Sequence, residues 1–243
     1  MGILDKLFRR GRSAADFSCT AVVPAAGNSK RMGEDKLLLP LRDGPVLLWT
    51  LRALEGCPYI TEIIVVTRED LIVPVGQLCK DAALRKVRKV VVGGRTRAES
   101  VLFGIREAEP SAELIAIHDA ARPLVTQGVI NAVIEKAVEC GAAAPAVPVK
   151  DTIKRAVDGV VESTPDRSQL YAVQTPQVFE HGVILGALEK AIADGAEITD
   201  DCSAVERLGI PVHLTVGAYE NMKLTTPEDL LAAEAILERW GVE

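Results

Sequence analysis

The stretch VVPAAGNSKRMGEDKLLLP, residues 22–40, begins as an apolar strand and turns through small residues and glycine into Lys30, Arg31 and Lys36. A strand that empties into a glycine-bearing basic loop is a common start for an α/β phosphate site, since backbone N–H groups and cations there face the ligand together. Two familiar versions do not fit. Gly27 and Gly33 are one residue too far apart for a Walker A loop, and Asn28-Ser29 breaks the dinucleotide pattern G-x-G-x-x-G. Taken alone, the loop is as easily a solvated basic turn.

Outward from this stretch, short β-branched runs alternate with segments of helical period. The runs are 20–24, 62–67, 89–93, 114–119 and 142–149, with helices expected near 45–55, 70–83, 97–108 and 126–140. This rhythm predicts a doubly wound, mostly parallel, Rossmann-like α/β sheet, whose ligands gather at the carboxyl ends of the strands. After Val149 the rhythm breaks. Asp158-Gly159 between two valine-containing runs predicts a hairpin, so about residues 150–178 read as a β-arm leaving the globule. Helices near 180–193 and 199–209, a strand at 211–216 and a last helix capped by Thr226, with Pro227 at its first position, complete the chain.

Composition narrows the function. The 243 residues suit one large α/β domain, 48% are hydrophobic, and only 4% are aromatic, which favours buried parallel strands over a β-sandwich. A net charge of −6 argues against a nucleic-acid surface but leaves room for a local basic pocket. Five scattered cysteines without C-x-x-C argue against disulfides and zinc and suit a reducing cytoplasm. The longest uncharged stretch, Phe17 to Ser29, is too short to span a membrane. Residues 1–17 lack a signal core and read as an extension, with a membrane-surface helix as the alternative, and residues 18–240 as the main domain.

Two more strand-end loops hold chemistry. In GGRTRAES (93–100), glycines allow close approach and Arg97 and Ser100 open a helix, where anions are favoured; the plain alternative is a turn with a solvated arginine. HDAARP (118–123) ends a buried strand with an acid. Asp119 there is suited to magnesium or a hydroxyl, or else forms an internal ion pair with Arg122, while His118 reads as a structural histidine.

The ordered series A-A-G-x-S-x-R-M-x-x-x-K, G-G-x-x-R-x-x-S, H-D-A-A-R-P, D-T, D-R, Q-T-P-Q, T-D-D and N-x-K-x-T-x-P-E-D resembles the 2-C-methyl-D-erythritol 4-phosphate cytidylyltransferases over about residues 18–240. The resemblance implies attack of the sugar phosphate on the α-phosphorus of CTP, with pyrophosphate leaving and Mg2+ carried mainly by the triphosphate. It implies that Arg31 and Lys36 stabilise the α-phosphate and that Ala25, Ala26, Gly27, Gly94, Arg97 and Ser100 surround the nucleotide. Asp119 is its candidate for ribose or metal. Thr152, Arg167, Thr175, Thr199, Asp200 and Lys223 fall to the acceptor, and Arg167 and Lys223 hold its phosphate. It also implies a homodimer in which the arm embraces the second subunit and donates residues across the interface. The compact MGEDK (32–36), where other members carry a longer insertion, and Arg95, at a position variable in the family, depart from the pattern without removing a needed group. Ribitol 5-phosphate as acceptor is the nearest rival reading. A nicotinamide oxidoreductase lacks its fingerprint, and a plain binding module has no use for charges at four separate loops. The chain is not expected to include a fused second enzyme.

Overall fold

The computed structural model describes residues 13–27 and 37–241. An eight-stranded sheet runs through them. Its strands are β1 (Cys19–Pro24), β4 (Ile60–Thr67), β5 (Val87–Val92), β6 (Leu114–Ile117), β7 (Ala142–Pro148), β10 (Tyr171–Val173), β11 (Gln177–Glu180) and β12 (His213–Val216). The order is β10-β7-β11-β6-β1-β4-β5, with β12 also on β7. Two small ribbons stand apart: β2 (Pro40–Leu41) with β3 (Gly44–Pro45), and β8 (Arg155–Val157) with β9 (Val160–Ser163). The helices are α1 (Val46–Glu55), α2 (Ile72–Asp81), α3 (Arg97–Arg106), α4 (Gln127–Cys140), α5 (His181–Ala193), α6 (Asp201–Glu206) and α7 (Pro227–Arg239).

The apolar runs other than 89–93 become strands buried on both faces, which is why they read as continuous rather than alternating, while 89–93 falls on the half-exposed edge strand β5. Ala21 and Val23 of β1 join Ile63, Val65 and Ala116 beneath α1, α2 and α4, while Val22 joins Ile64, Val66, Ile115 and Phe179 beneath α3, α5 and α6. Helix α3 lies close on the sheet because Gly104 has no side chain: a Cβ there would stand 2.5 Å from Val22 Cγ1 and 2.7 Å from Val66 Cγ2. Thr126 caps α4, and Gly141 ends it in the left-handed region at φ 84°.

The hairpin expected at Asp158-Gly159 is present, with φ of 49° and 79° at the two turn residues. The end of the expected arm differs. Residues 171–180 return to the main sheet, where β11 runs antiparallel between β6 and β7 and β10 pairs with the far end of β7. The two meet β7 in nearly the same register and amount to one strand interrupted at 174–176. Short, polar and split by Pro176, this segment carries none of the continuous apolar signal of the others. At the other end of the domain, α7 starts as its cap predicts, with the Asp229 carboxylate accepting Thr226 N–H at 2.9 Å.

Candidate functional site

Three loops meet at the carboxyl ends of β1, β5 and β6. Ala25 N–H donates to Val66 O at 2.6 Å and Gly93 N–H to Thr67 O at 2.8 Å, so both loops leave the sheet still tied to β4. They touch at Gly93, where a Cβ would lie 2.7 Å from Ser100 Oγ and 2.8 Å from the Ala26 Cβ. The buried Ser100 hydroxyl accepts Gly94 N–H at 3.1 Å and donates to Thr96 O at 2.9 Å, folding the glycine turn onto the start of α3. The result is a cleft of about 260 Å³ that opens between Ala25–Gly27, Gly94–Arg97, Asp119–Ala121 and Lys223.

Charge concentrates on one wall. Asp119 Oδ1 lies 3.2 Å from Arg97 Nη2, and its Oδ2 is 2.8 Å from Lys223 Nζ and 3.8 Å from Arg122 Nε. Burial alone would raise the Asp119 carboxyl, but Arg97, Lys223 and Arg122 together hold it well below the usual carboxylate range. Arg97 also makes a two-pronged pair with Asp201, at 3.0 and 2.8 Å. The Asp201 side chain is wholly buried, and that burial pushes its carboxyl up against the pull of Arg97.

A layer of neutral groups fixes these charges from behind. His118 Nε2 lies 3.2 Å from Arg122 O, and Nδ1 lies 3.0 Å from Thr175 Oγ1. A carbonyl only accepts, so Nε2 carries the proton and Nδ1 accepts from the threonine hydroxyl. Burial brings the His118 pKa down to about 4, which keeps the ring neutral at physiological pH. Thr175 Oγ1 accepts Asp119 N–H at 3.1 Å. Lys223 is aligned by Leu224 N–H donating to Ala121 O at 2.8 Å, and Arg122 Nη1 donates to the carbonyl of buried Asn221 just before it.

The expected residues divide accordingly. Ala25, Ala26, Gly27, Gly94, Arg97, Ser100, Asp119 and Lys223 line the one cleft. Arg31 and Lys36 lie outside the described residues. Thr175 is buried behind Asp119 rather than open to a ligand. Asp200 caps α6 through Ser203 N–H at 2.9 Å and accepts Gln177 Nε2 at 2.8 Å, so its neighbour Asp201 is the acid that reaches Arg97. Thr152, Thr199 and Arg167 are exposed and away from the cleft lining, and Arg167 Nη1 donates to Lys150 O at 2.6 Å at the root of the excursion. Asp119 forms the expected ion pair with Arg122 and also faces the cleft. His118 is structural, as expected. Asp201, Gln174 and Gln177 were not singled out from sequence. The adjacent acids of ITDD and the glutamines of QTPQ are the only signals, and neither says which member points inward.

Chemically, this wall offers fixed cations to a polyphosphate and one ionised carboxylate to a hydroxyl or a metal. Among the described residues no cluster of three His, Cys, Asp or Glu side chains could hold a metal by itself. The donor set therefore suits only a cation that brings most of its ligands with it, as Mg2+ does on a triphosphate.

Known proteins resemble the chain over nearly its whole length. The sequence profile of the 2-C-methyl-D-erythritol 4-phosphate cytidylyltransferases matches residues 19–239. The protein of that name from Desulforamulus reducens is 47% identical over 229 residues, covering 90% of this chain and 95% of its own, and that of Geotalea uraniireducens is 45% identical over 228 residues, covering 90% and 96%. Among solved structures, the 4-diphosphocytidyl-2C-methyl-D-erythritol synthase of Anaerococcus prevotii superposes with TM-score 0.83 at 30% identity, covering 93% of this chain and 99% of that one. The Thermus thermophilus 2-C-methyl-D-erythritol 4-phosphate cytidylyltransferase gives 0.75 at 32%, covering 90% and 98%.

Proposed function

The chain belongs to the 2-C-methyl-D-erythritol 4-phosphate cytidylyltransferase family, and we propose that the cleft beside Asp119 is where its reaction takes place. The enzyme transfers the cytidylyl group of CTP to 2-C-methyl-D-erythritol 4-phosphate, giving 4-diphosphocytidyl-2-C-methyl-D-erythritol and pyrophosphate, a step of isoprenoid precursor synthesis by the non-mevalonate route.

One observation carries the assignment to this cleft: Asp119 gathers Arg97, Arg122 and Lys223 at the mouth of a glycine-lined loop junction. On this reading the base and ribose of CTP lie against Gly94, Arg97 and Ser100, and its phosphates against Ala25, Ala26 and Gly27. Lys223 takes the acceptor's phosphate and aims an oxygen at the α-phosphorus. Arg31 and Lys36, carried over from the family pattern, neutralise the charge that builds there. No covalent enzyme intermediate is needed, so the chain contributes position and charge. Mg2+ enters with CTP, with Asp119 its candidate protein contact, and when bound it supplies further neutralisation of the phosphate oxygens. Thr152, Arg167, Thr199 and Asp200 complete the acceptor side, with Thr175 acting from behind through the Asp119 N–H.

That Arg167 and Thr152 are exposed and do not line the cleft supports a homodimer in which the excursion of one subunit serves the site of the other. So does the exposure of Val157, Val160 and Val161 on the hairpin and of Val216, at 86%, on edge strand β12. Five free thiols support a cytoplasmic setting, and among the described residues no helix is long and apolar enough to cross a membrane. Pyrophosphate release tests the reading. It is expected with CTP, Mg2+ and methylerythritol phosphate. No release there refutes it, and release with ribitol 5-phosphate alone moves the chain to that acceptor.

A further inference from the structure

The corner between β10 and β11 interrupts the ladder to β7, because Pro176 has no N–H to offer. The other side chains of that corner, Gln174, Thr175 and Gln177, are buried at 6%, 4% and 2% exposure, and each holds a different loop of the cleft. Thr175 accepts the Asp119 N–H, as described above. Gln174 Nε2 donates to Ala218 O at 2.7 Å, and its Oε1 accepts from Ala218 N–H at 3.3 Å and from Asn221 Nδ2 at 3.4 Å. That grip fixes the segment that ends in Lys223. Gln177 Oε1 accepts the N–H groups of Asp201 and Cys202, both at 3.0 Å, while its Nε2 donates to Asp200. This second grip fixes the first turn of α6, and with it the carboxylate that holds Arg97. Only an amide side chain carries both the donors and the acceptor needed to clamp a loop in this way.

We infer that the 174–177 corner is a positioning clamp with two arms, one weighted toward each half of the cleft. Gln177 acts through Asp201 on Arg97 and the nucleotide, and Gln174 acts through Asn221 on Lys223 and the acceptor. The inference rests on the reading above that Arg97 serves CTP and Lys223 the acceptor phosphate.

The test uses the full chain with Gln177→Met or Gln174→Met, near-isosteric changes that remove the amide. Both KM values, kcat and the unfolding temperature are measured, together with CTP binding by calorimetry. A misplacement of about 1 Å can cost about a hundredfold, so Gln177→Met is expected to raise KM for CTP roughly tenfold or more while moving KM for the acceptor less than about threefold. Gln174→Met is expected to do the reverse and to leave CTP binding near the wild-type value. Gln177→Glu keeps the oxygen that the α6 N–H groups need but turns the donor to Asp200 into a second acceptor, so it too is expected to raise KM for CTP, by less at lower pH where the new carboxyl is protonated and can donate to Asp200. If a Met variant does not fold, the Glu variant at the same position carries the same comparison. Equal rises in both KM values for both variants, or a fall in kcat with neither KM moved, overturns the clamp. A wild-type chain without turnover strikes the functional reading instead, whereas an active wild type with unsplit variants strikes the clamp alone.

Discussion

Asp119→Asn keeps the shape of the side chain and removes the charge that three cations share. Their surroundings decide what that costs. Lys223 and Arg97 are 41% and 34% exposed in their side chains and can regain water, and Arg97 keeps Asp201. Arg122 is different: its side chain is 13% exposed, burial already lowers its pKa, and Asp119 is the acid that opposes this. Breaking a fully buried pair costs about 3–5 kcal/mol; with two of the three partners rehydrated, about 2 kcal/mol remains. For a chain of this length that corresponds to a fall of about 4–8 °C in unfolding temperature. Urea unfolding followed by far-UV circular dichroism at low salt measures it. The pH dependence supplies a second reading. The folded-state pKa of Asp119 is depressed, so its stabilisation is present above the unfolded-state value of roughly 3.9 and is lost as pH falls below it. The gap between wild type and variant is therefore expected to be constant from about pH 8 to pH 5 and to narrow only in stronger acid. A variant within about 0.5 kcal/mol of wild type at pH 7 would refute the reasoning, as would a gap that widens on acidification.

Lys36→Ala is expected to lower turnover about a hundredfold to a thousandfold, the value of one charge-stabilising donor, with an unchanged unfolding midpoint; near-normal turnover removes Lys36 from the chemistry. Mixing inactive Arg167→Ala chains with inactive Lys36→Ala chains is expected to restore part of the activity if sites are shared between subunits, and no recovery in a verified mixed dimer sinks that arrangement. Gly104→Ala offers a test of packing alone. Its Cβ would press on Val22 and Val66 at 2.5 and 2.7 Å, so about 1–3 kcal/mol of overpacking is expected to outweigh alanine's helix preference of about 1 kcal/mol. A thermal melt no lower than wild type would show that α3 can lift off the sheet at little cost.

The parts of the fold legible in the sequence were those that bury on both sides. The runs around Val22, Ile64, Ile115 and Ala144 announce central strands because nothing polar interrupts them, whereas the run around Val90 becomes the half-exposed edge strand β5. The Asp158-Gly159 hairpin was legible for a local reason, since its turn requires two residues that tolerate positive φ. Strand β11 was not. QTPQVFE is short, starts polar and is split by proline, and its place between β6 and β7 depends on long-range pairing that no local pattern records. In the site, glycines and cations at strand ends marked the loops but not the contacts between them. Asp200 and Asp201 are adjacent and chemically identical, and only the capping geometry of α6 sends one to the helix end and the other to Arg97. Thr175 was chosen for a ligand, but in the fold it serves the backbone of Asp119.

Three cations against two carboxylates leave the Asp119 cluster with one positive charge, set in a chain whose net charge is −6. That contrast favours a small anion at the cleft over a large one spread across the surface. At physiological salt the Debye length is about 8 Å, so a small triphosphate at the mouth feels mainly the cleft. A long polyanion lying across the surface meets the acidic body at many points and is turned away. Free pyrophosphate, sulfate and similar small oxyanions are then expected to compete for the entrance, read as inhibition of pyrophosphate release from CTP by added sulfate.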